Sequence, residues 1–114
     1  PILYSEIYLI SINCLFKTRP SFDRFLFMQD LRLTLVQTPI RWEDPDAARR
    51  DLDQLLDGLP GPTDLIVLSE MFTTGFSMES HRLAEAMDGP SIRWMQFQSE
   101  RLNALIMGSL IIRE

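Results

Sequence analysis

The amino-acid sequence predicts an α/β fold with the element order β-α-β-α-β over residues 28–114. Short apolar runs alternate there with segments of helical periodicity, and each of the two helical segments begins at a proline. Such alternation is typical of layered α/β proteins with at least partly parallel strands. With 114 residues, of which 46% are hydrophobic and 24% charged, the chain has the length and composition of one small globular domain.

The first half of this pattern contains two strands and a helix. The run from Leu31 to Val36 predicts a strand, which Pro39 stops. Asp44 and Pro45 predict a helix start, with the aspartate as N-cap and the proline at the first helical position. The GLPGP sequence at 58–62 ends that helix, and the continuous apolar run DLIVL at 64–68 predicts a strand buried on both faces.

The second half completes the pattern. Residues 69–80, SEMFTTGFSMES, are predicted to be a loop. Pro90 begins the second helix, and the apolar run at 104–112 predicts the third strand.

Residues 1–27 are predicted to be an N-terminal extension outside the domain, because neither a helical nor a strand period is clear before Met28. Their apolar stretch, 2–16, is interrupted by Glu6 and Asn13 and is shorter than the roughly 20 residues of a membrane-spanning helix. It also lacks the basic start and cleavage site of a signal peptide. We therefore expect no membrane association.

Charge and cysteine content restrict the function. The net charge is −5 and no cluster of Lys and Arg is visible, which argues against a nucleic-acid partner. The single cysteine, Cys14, excludes an internal disulfide and fits a cytoplasmic protein, and no Cys/His cluster predicts a metal site. The segment after the first strand, QTPIRWED, has no glycine, which disfavours a nucleotide-binding Rossmann half.

Glu70 is the candidate for acid-base chemistry. It follows directly after the buried strand at 64–68, and sites in open α/β sheets lie at the carboxyl ends of strands. We expect Met71, Phe72 and Phe76 to surround the carboxylate with apolar surface, as suits a general base. On the residues alone, a solvated loop acid is the more common outcome for such a position. Glu79 and Glu85, further along, are interpreted as solvated loop acids of that kind.

The segment DLIVLSEMFTTGFSM resembles the first catalytic motif of the nitrilase (carbon–nitrogen hydrolase) superfamily, in which a strand delivers the catalytic glutamate. The flanking strands and the helix between them are also similar, so the resemblance covers residues 28–114. EMFTTGFSM is most similar to the ω-amidase branch, which hydrolyses the terminal amide of small 2-oxo acid amides. Ser69 departs from the pattern, because the family usually has proline before the glutamate.

The resemblance implies a fold and a mechanism. The fold would be part of a four-layer α-β-β-α sandwich, and residues 28–114 would be the N-terminal part of the family's domain. Glu70 would be the catalytic base, Phe72 and Phe76 would bind a small-molecule amide, and no cofactor or metal would be needed. The family's lysine and nucleophilic cysteine motifs have no match in the 114 residues, and Cys14 lies in a setting that does not suit a nucleophile. The intact protein would be a homodimer.

Two alternatives remain at this point. The 114-residue chain would be a non-catalytic truncated fragment or an interaction module of the α/β class. A membrane-tethered acyltransferase of the same superfamily is the other, supported only by the apolar stretch at 2–16.

Overall fold

The computed structural model describes residues 31–113, and these follow the predicted order of strands and helices. The elements are β1 (Leu33–Leu35), α1 (Pro45–Asp57), β2 (Leu65–Val67), α2 (Ser80–Leu83), α3 (Pro90–Leu102) and β3 (Leu105–Met107). The predicted α/β class is confirmed. The prediction that residues 1–27 form an N-terminal extension concerns residues that lie wholly outside the described range, and it stays a prediction.

The strands form a parallel sheet in the order β1-β2-β3. Its register pairs Thr34 with Ile66 and Ile66 with Ile106, so these three side chains lie on one face. Ile66 and Ile106 are almost fully buried there. Because the register is shared, all the strands end at the same edge of the sheet, where residues 36, 68 and 108 continue the chain.

Helices α1 and α3 cover the face that carries Ile66 and Ile106. Leu52 and Leu56 of α1 and Ile92 and Met95 of α3 belong to the same core cluster as those two strand residues. Both helices lie on one side of the sheet, as right-handed crossovers between sequentially adjacent parallel strands require.

The opposite face of the sheet is open within residues 31–113. Leu33 and Leu35 are exposed by 50% and 72%, and Leu65 and Val67 are half-buried. The prediction that the strand at 64–68 is buried on both faces is therefore wrong for the described residues. The four-layer sandwich that the resemblance implies would place its second sheet against this face.

Local signals explain the helix starts. The Asp44 carboxylate accepts a hydrogen bond from the Ala47 amide at 3.0 Å, and Pro45 occupies the first turn of α1, as predicted. Pro90 likewise begins α3, and Asn103, in the left-handed conformation, is the C-cap that follows the last helical residue, Leu102. A hydrogen-bonded contact then joins the helices, because Asp53 of α1 accepts from the Trp94 indole at 2.6 Å and from the Gln98 amide at 2.7 Å.

Two further predictions are corrected. The third strand was expected over 104–112 but is limited to Leu105–Met107, with Ile112 forming an isolated bridge to Glu85. The short helix α2 follows the predicted loop and was not expected, because four residues carry no readable periodicity.

Candidate active site

Glu70 lies in a tight turn at the carboxyl end of β2. The Leu68 amide still donates to the Met107 carbonyl at 2.8 Å, so β2 and β3 remain hydrogen-bonded up to this turn. Met71 then adopts a positive φ of 50°, an uncommon conformation for a residue other than glycine. The Met71 carbonyl accepts from the Gly75 amide at 2.8 Å and from the Thr74 amide at 3.2 Å, which closes the turn.

The glutamate and its two apolar neighbours differ in exposure. Glu70 is exposed, and among residues 31–113 its carboxylate has no hydrogen-bond or ion-pair partner. Met71 and Phe72, by contrast, are 9% and 4% exposed. The expectation that apolar surface surrounds the carboxylate is therefore wrong for the described residues, because Glu70 is exposed whereas Met71 and Phe72 are buried in two core clusters.

Phe72 fills the space between β2, β3 and α3. Its ring centroid lies 5.9 Å from that of Trp94, and both residues belong to or pack against the main core cluster. A Cβ added at Gly108 would stand 2.9 Å from two carbons of the Phe72 ring. The absence of a side chain at 108 thus allows the ring to lie against the end of β3. Phe76, the other predicted substrate contact, is 63% exposed.

The segment after Glu70 is anchored by the connection between β1 and α1. The Glu43 amide donates to the Thr74 carbonyl at 3.0 Å, and the Glu43 carboxylate accepts from the Ser77 hydroxyl at 2.6 Å and from Arg82. The Ser77 hydrogen bond, with further help from Arg82, lowers the pKa of Glu43 below its usual value. A negative charge therefore remains on Glu43 to hold the loop and α2 together.

Gly75 marks the place where the two segments touch. Its φ is +71°, and an added Cβ would lie 2.9 Å from side-chain carbons of both Ile40 and Trp42. Glycine thus satisfies both the left-handed backbone and the close approach. The result is an apolar rim beside the turn, in which Trp42, Phe76 and Met78 are exposed by 61%, 63% and 85%.

The other acids of the region differ in their surroundings. Glu79 is exposed, as predicted. The solvated interpretation of Glu85 is wrong: its side chain is 16% exposed, faces Arg49 and accepts from the Ser91 amide at 3.1 Å. The described residues contain no group of three or more His, Cys, Asp or Glu that could hold a metal ion. Among the helices of residues 31–113, none is long and apolar enough to cross a membrane.

A strand that delivers a glutamate at its carboxyl end is the arrangement that the resemblance implied, and comparison with known proteins decides the family. The sequence model of the carbon–nitrogen hydrolase family matches residues 32–114. The chain belongs to the carbon–nitrogen hydrolase family. The superfamily expected from the residues around Glu70 is thereby confirmed.

Relatives of this carbon–nitrogen hydrolase chain include proteins named omega-amidase YafV. The protein from Escherichia coli K12 is 42% identical over 86 residues, which are 75% of this chain and 33% of the relative. The Yersinia enterocolitica protein is 42% identical over 85 residues, covering 75% and 32% of the two chains. The chain therefore spans about a third of the length of these curated relatives.

A solved structure agrees with the fold. The crystal structure of XC1258 from Xanthomonas campestris, described as a CN-hydrolase superfamily protein with an arsenic adduct in the active site, matches with a TM-score of 0.72 and 47% identity. The match covers 76% of this chain and 33% of that one. The predicted similarity to ω-amidases and the predicted nitrilase-like architecture are both confirmed at this level.

Two residues of the site were not identified from the sequence. The Ser109 hydroxyl accepts a hydrogen bond from the Met71 amide at 2.8 Å, and the two residues are 38 positions apart in the chain. Glu43 is 34 positions from Ser77, its partner in the segment after the turn. Only the shared ending of parallel strands at one edge of the sheet hinted that residues after β3 would lie near Glu70. Cys14, the cysteine rejected as nucleophile, and Lys17, the chain's lysine, lie outside the described residues.

Proposed function

We propose that this chain is the part of an amidohydrolase that carries its general base, Glu70, and that the intact protein hydrolyses a small linear amide to an acid and ammonia. The observation that carries the proposal is the exposed carboxylate on a turn fixed by its neighbours at the end of a parallel strand. Membership of the carbon–nitrogen hydrolase family supports the reaction class. The name omega-amidase of the curated relatives favours an ω-amide as substrate. The resemblance to the ω-amidase branch implies that this is the ω-amide of a small 2-oxo acid.

In the proposed mechanism, the Glu70 carboxylate accepts the proton of a cysteine thiol, and the thiolate attacks the amide carbonyl carbon. A lysine ammonium stabilises the oxyanion of the tetrahedral intermediate. Collapse of that intermediate breaks the C–N bond and, with a proton returned by the glutamic acid, releases ammonia. Glu70 then takes a proton from water, which attacks the thioester, and the acid product leaves as the thiol is restored. The cysteine and the lysine are those that the family resemblance implies.

The substrate contacts follow from exposure. Phe76 belongs to the apolar rim and has the open surface that a bound acyl chain could contact. For Phe72, a direct contact with the substrate is limited to a small part of the ring, because only 4% of the residue is exposed. Its larger contribution in this proposal is to support the turn from beneath. The homodimer and the cytoplasmic location expected from the sequence stay predictions.

The test uses a chimera in which residues 31–113 replace the matching segment of the Escherichia coli ω-amidase. Ammonia release from 2-oxoglutaramate is measured for the parent chimera and for Glu70→Gln, which keeps the shape of the side chain but removes the base. We expect kcat to fall by roughly 10²–10⁴-fold, the usual contribution of general-base catalysis. Circular dichroism verifies that both proteins fold.

Glu79→Gln is the matched control, because Glu79 is an exposed acid of the same segment whose side chain caps no helix. It should change kcat little. Near-parental activity in Glu70→Gln would contradict the proposal and favour the alternative of a non-catalytic module. The 114-residue chain by itself should release no ammonia, and turnover that Cys14→Ala abolishes would show that the nucleophile was assigned wrongly.

A further inference from the structure

Met71 is held in its left-handed conformation from three directions. Its amide donates to the Ser109 hydroxyl at 2.8 Å, and its carbonyl accepts from Thr74 and Gly75. Its side chain packs in a second core cluster with Leu83, Ala84 and Ile111. A non-glycine residue at positive φ is unfavourable on its own, so it persists only where the surroundings determine it this fully.

The conformation of Met71 sets the direction of Glu70. The two residues share a peptide plane, and the Glu70 side chain has no partner among residues 31–113 that would orient it independently. A change at Met71 would therefore rotate the plane that precedes it and move the exposed carboxylate. The contact that can be removed without disturbing either cluster is the one to Ser109, because it involves a single side-chain oxygen.

We propose that Ser109 is a positioning residue for catalysis, which aims Glu70 through the hydrogen bond from the Met71 amide. The inference rests on the proposed role of Glu70 as the base. Two features bring the end of β3 close to the turn. The Leu68 amide donates to the Met107 carbonyl at 2.8 Å, and the lack of a side chain at Gly108 allows Phe72 to pack against the backbone there. The next residue, Ser109, then presents an acceptor to an amide that the turn leaves without a carbonyl partner.

Ser99 supplies a matched control. Its hydroxyl donates to the Ala104 carbonyl at 2.7 Å, so it also makes one short bond to the backbone, and it is half-buried like Ser109. That bond lies before β3, at the end of the sheet opposite the turn. Loss of either hydroxyl should affect stability to a similar degree, whereas only Ser109 is connected to Glu70.

The first measurement is amide hydrogen exchange by NMR on the 114-residue chain. In Ser109→Ala the Met71 amide should exchange roughly tenfold faster than in the unsubstituted chain, as expected for loss of one hydrogen bond. Ser99→Ala should leave the Met71 amide unchanged, and Ser109→Thr, which keeps the hydroxyl, should restore its protection. An unchanged Met71 amide in Ser109→Ala would overturn the inference.

The second measurement is amide hydrolysis by the chimera described above. Ser109→Ala should lower kcat roughly 10- to 100-fold with KM nearly unchanged, because a misdirected base slows the chemical step while binding is retained. Ser109→Thr should recover most of the rate, and Ser99→Ala should keep it. If Glu70→Gln loses activity but Ser109→Ala does not, the inference alone fails. If Glu70→Gln stays active, the proposed function fails and the inference with it.

Discussion

Gly108→Ala tests whether close packing at the end of β3 supports the turn that carries Glu70. The new Cβ would lie 2.9 Å from Cδ1 and Cε1 of Phe72 and 3.4 Å from the Leu68 Cβ. Phe72 and Leu68 are 4% and 5% exposed, so neither side chain can move aside into solvent. Overpacking of a closed core costs about 1–3 kcal/mol.

An opposing effect reduces this cost. The φ of Gly108 lies outside the left-handed region, so alanine can adopt the backbone, and it restricts the unfolded chain by about 0.4–1 kcal/mol in favour of folding. The clash is the larger effect, and we expect a net destabilisation of about 1–2 kcal/mol. For a domain of this size that corresponds to a Tm lower by roughly 4–15 °C.

The assay is urea unfolding of the 114-residue chain, followed by circular dichroism. Gly61→Ala is the control, because an added Cβ there meets nothing within 4 Å. It should be neutral or slightly stabilising. Phe72→Leu combined with Gly108→Ala should destabilise by less than the sum of the single changes, because the smaller side chain makes room for the Cβ. Equal stability of the Gly108→Ala and Gly61→Ala proteins would refute the reasoning.

Two further predictions concern polar contacts. Asp53→Ala removes the acceptor of the Gln98 side-chain amide, and because Gln98 is only 2% exposed, the free energy of unfolding should fall by about 1–3 kcal/mol. Asp57→Ala breaks a largely exposed ion pair with Arg101 and should lower the free energy of unfolding by less than about 1 kcal/mol. Urea unfolding of the two variants measures the difference. The hydrogen bond from the Ser77 hydroxyl is the chief cause of the lowered pKa of Glu43 in the folded protein. The ionised Glu43 carboxylate therefore contributes fully to stability above its ordinary pKa of 4.5, and this contribution is lost as the pH falls through the lower pKa of the folded state. The urea midpoint should therefore fall on acidification below about pH 4.5, and it should fall less in Glu43→Gln.

The parts of the fold that local chemistry determines were predictable from the sequence. Asp44 and Pro45 start α1 because capping and a fixed φ act within one turn of the chain. The run at 104–112 was predicted too long as a strand, because hydrophobicity reports burial and not pairing: Leu110 and Ile111 are buried although β3 ends at Met107. Phe72 shows the same limit, since its apolar character predicted a site neighbour and the structure places it in the core.

The same limit applies to the candidate site: residues marked by local sequence features could be predicted, and residues that come from distant parts of the chain could not. Glu70 could be identified because a strand, its end and a family motif are local features of the sequence. The partners that hold its turn could not be identified, because Ser109 and Glu43 approach it only after β3 and the β1–α1 connection take their places in the sheet. All of these contacts lie within residues 31–113, so the proposed positioning of the base can be tested on this part of the family's domain. The single cysteine and the single lysine of the chain precede that range. The proposed positioning of Glu70 and its proposed role as the base can therefore be measured separately. Hydrogen exchange of the Met71 amide tests the positioning, and kcat of the chimera tests the role as base.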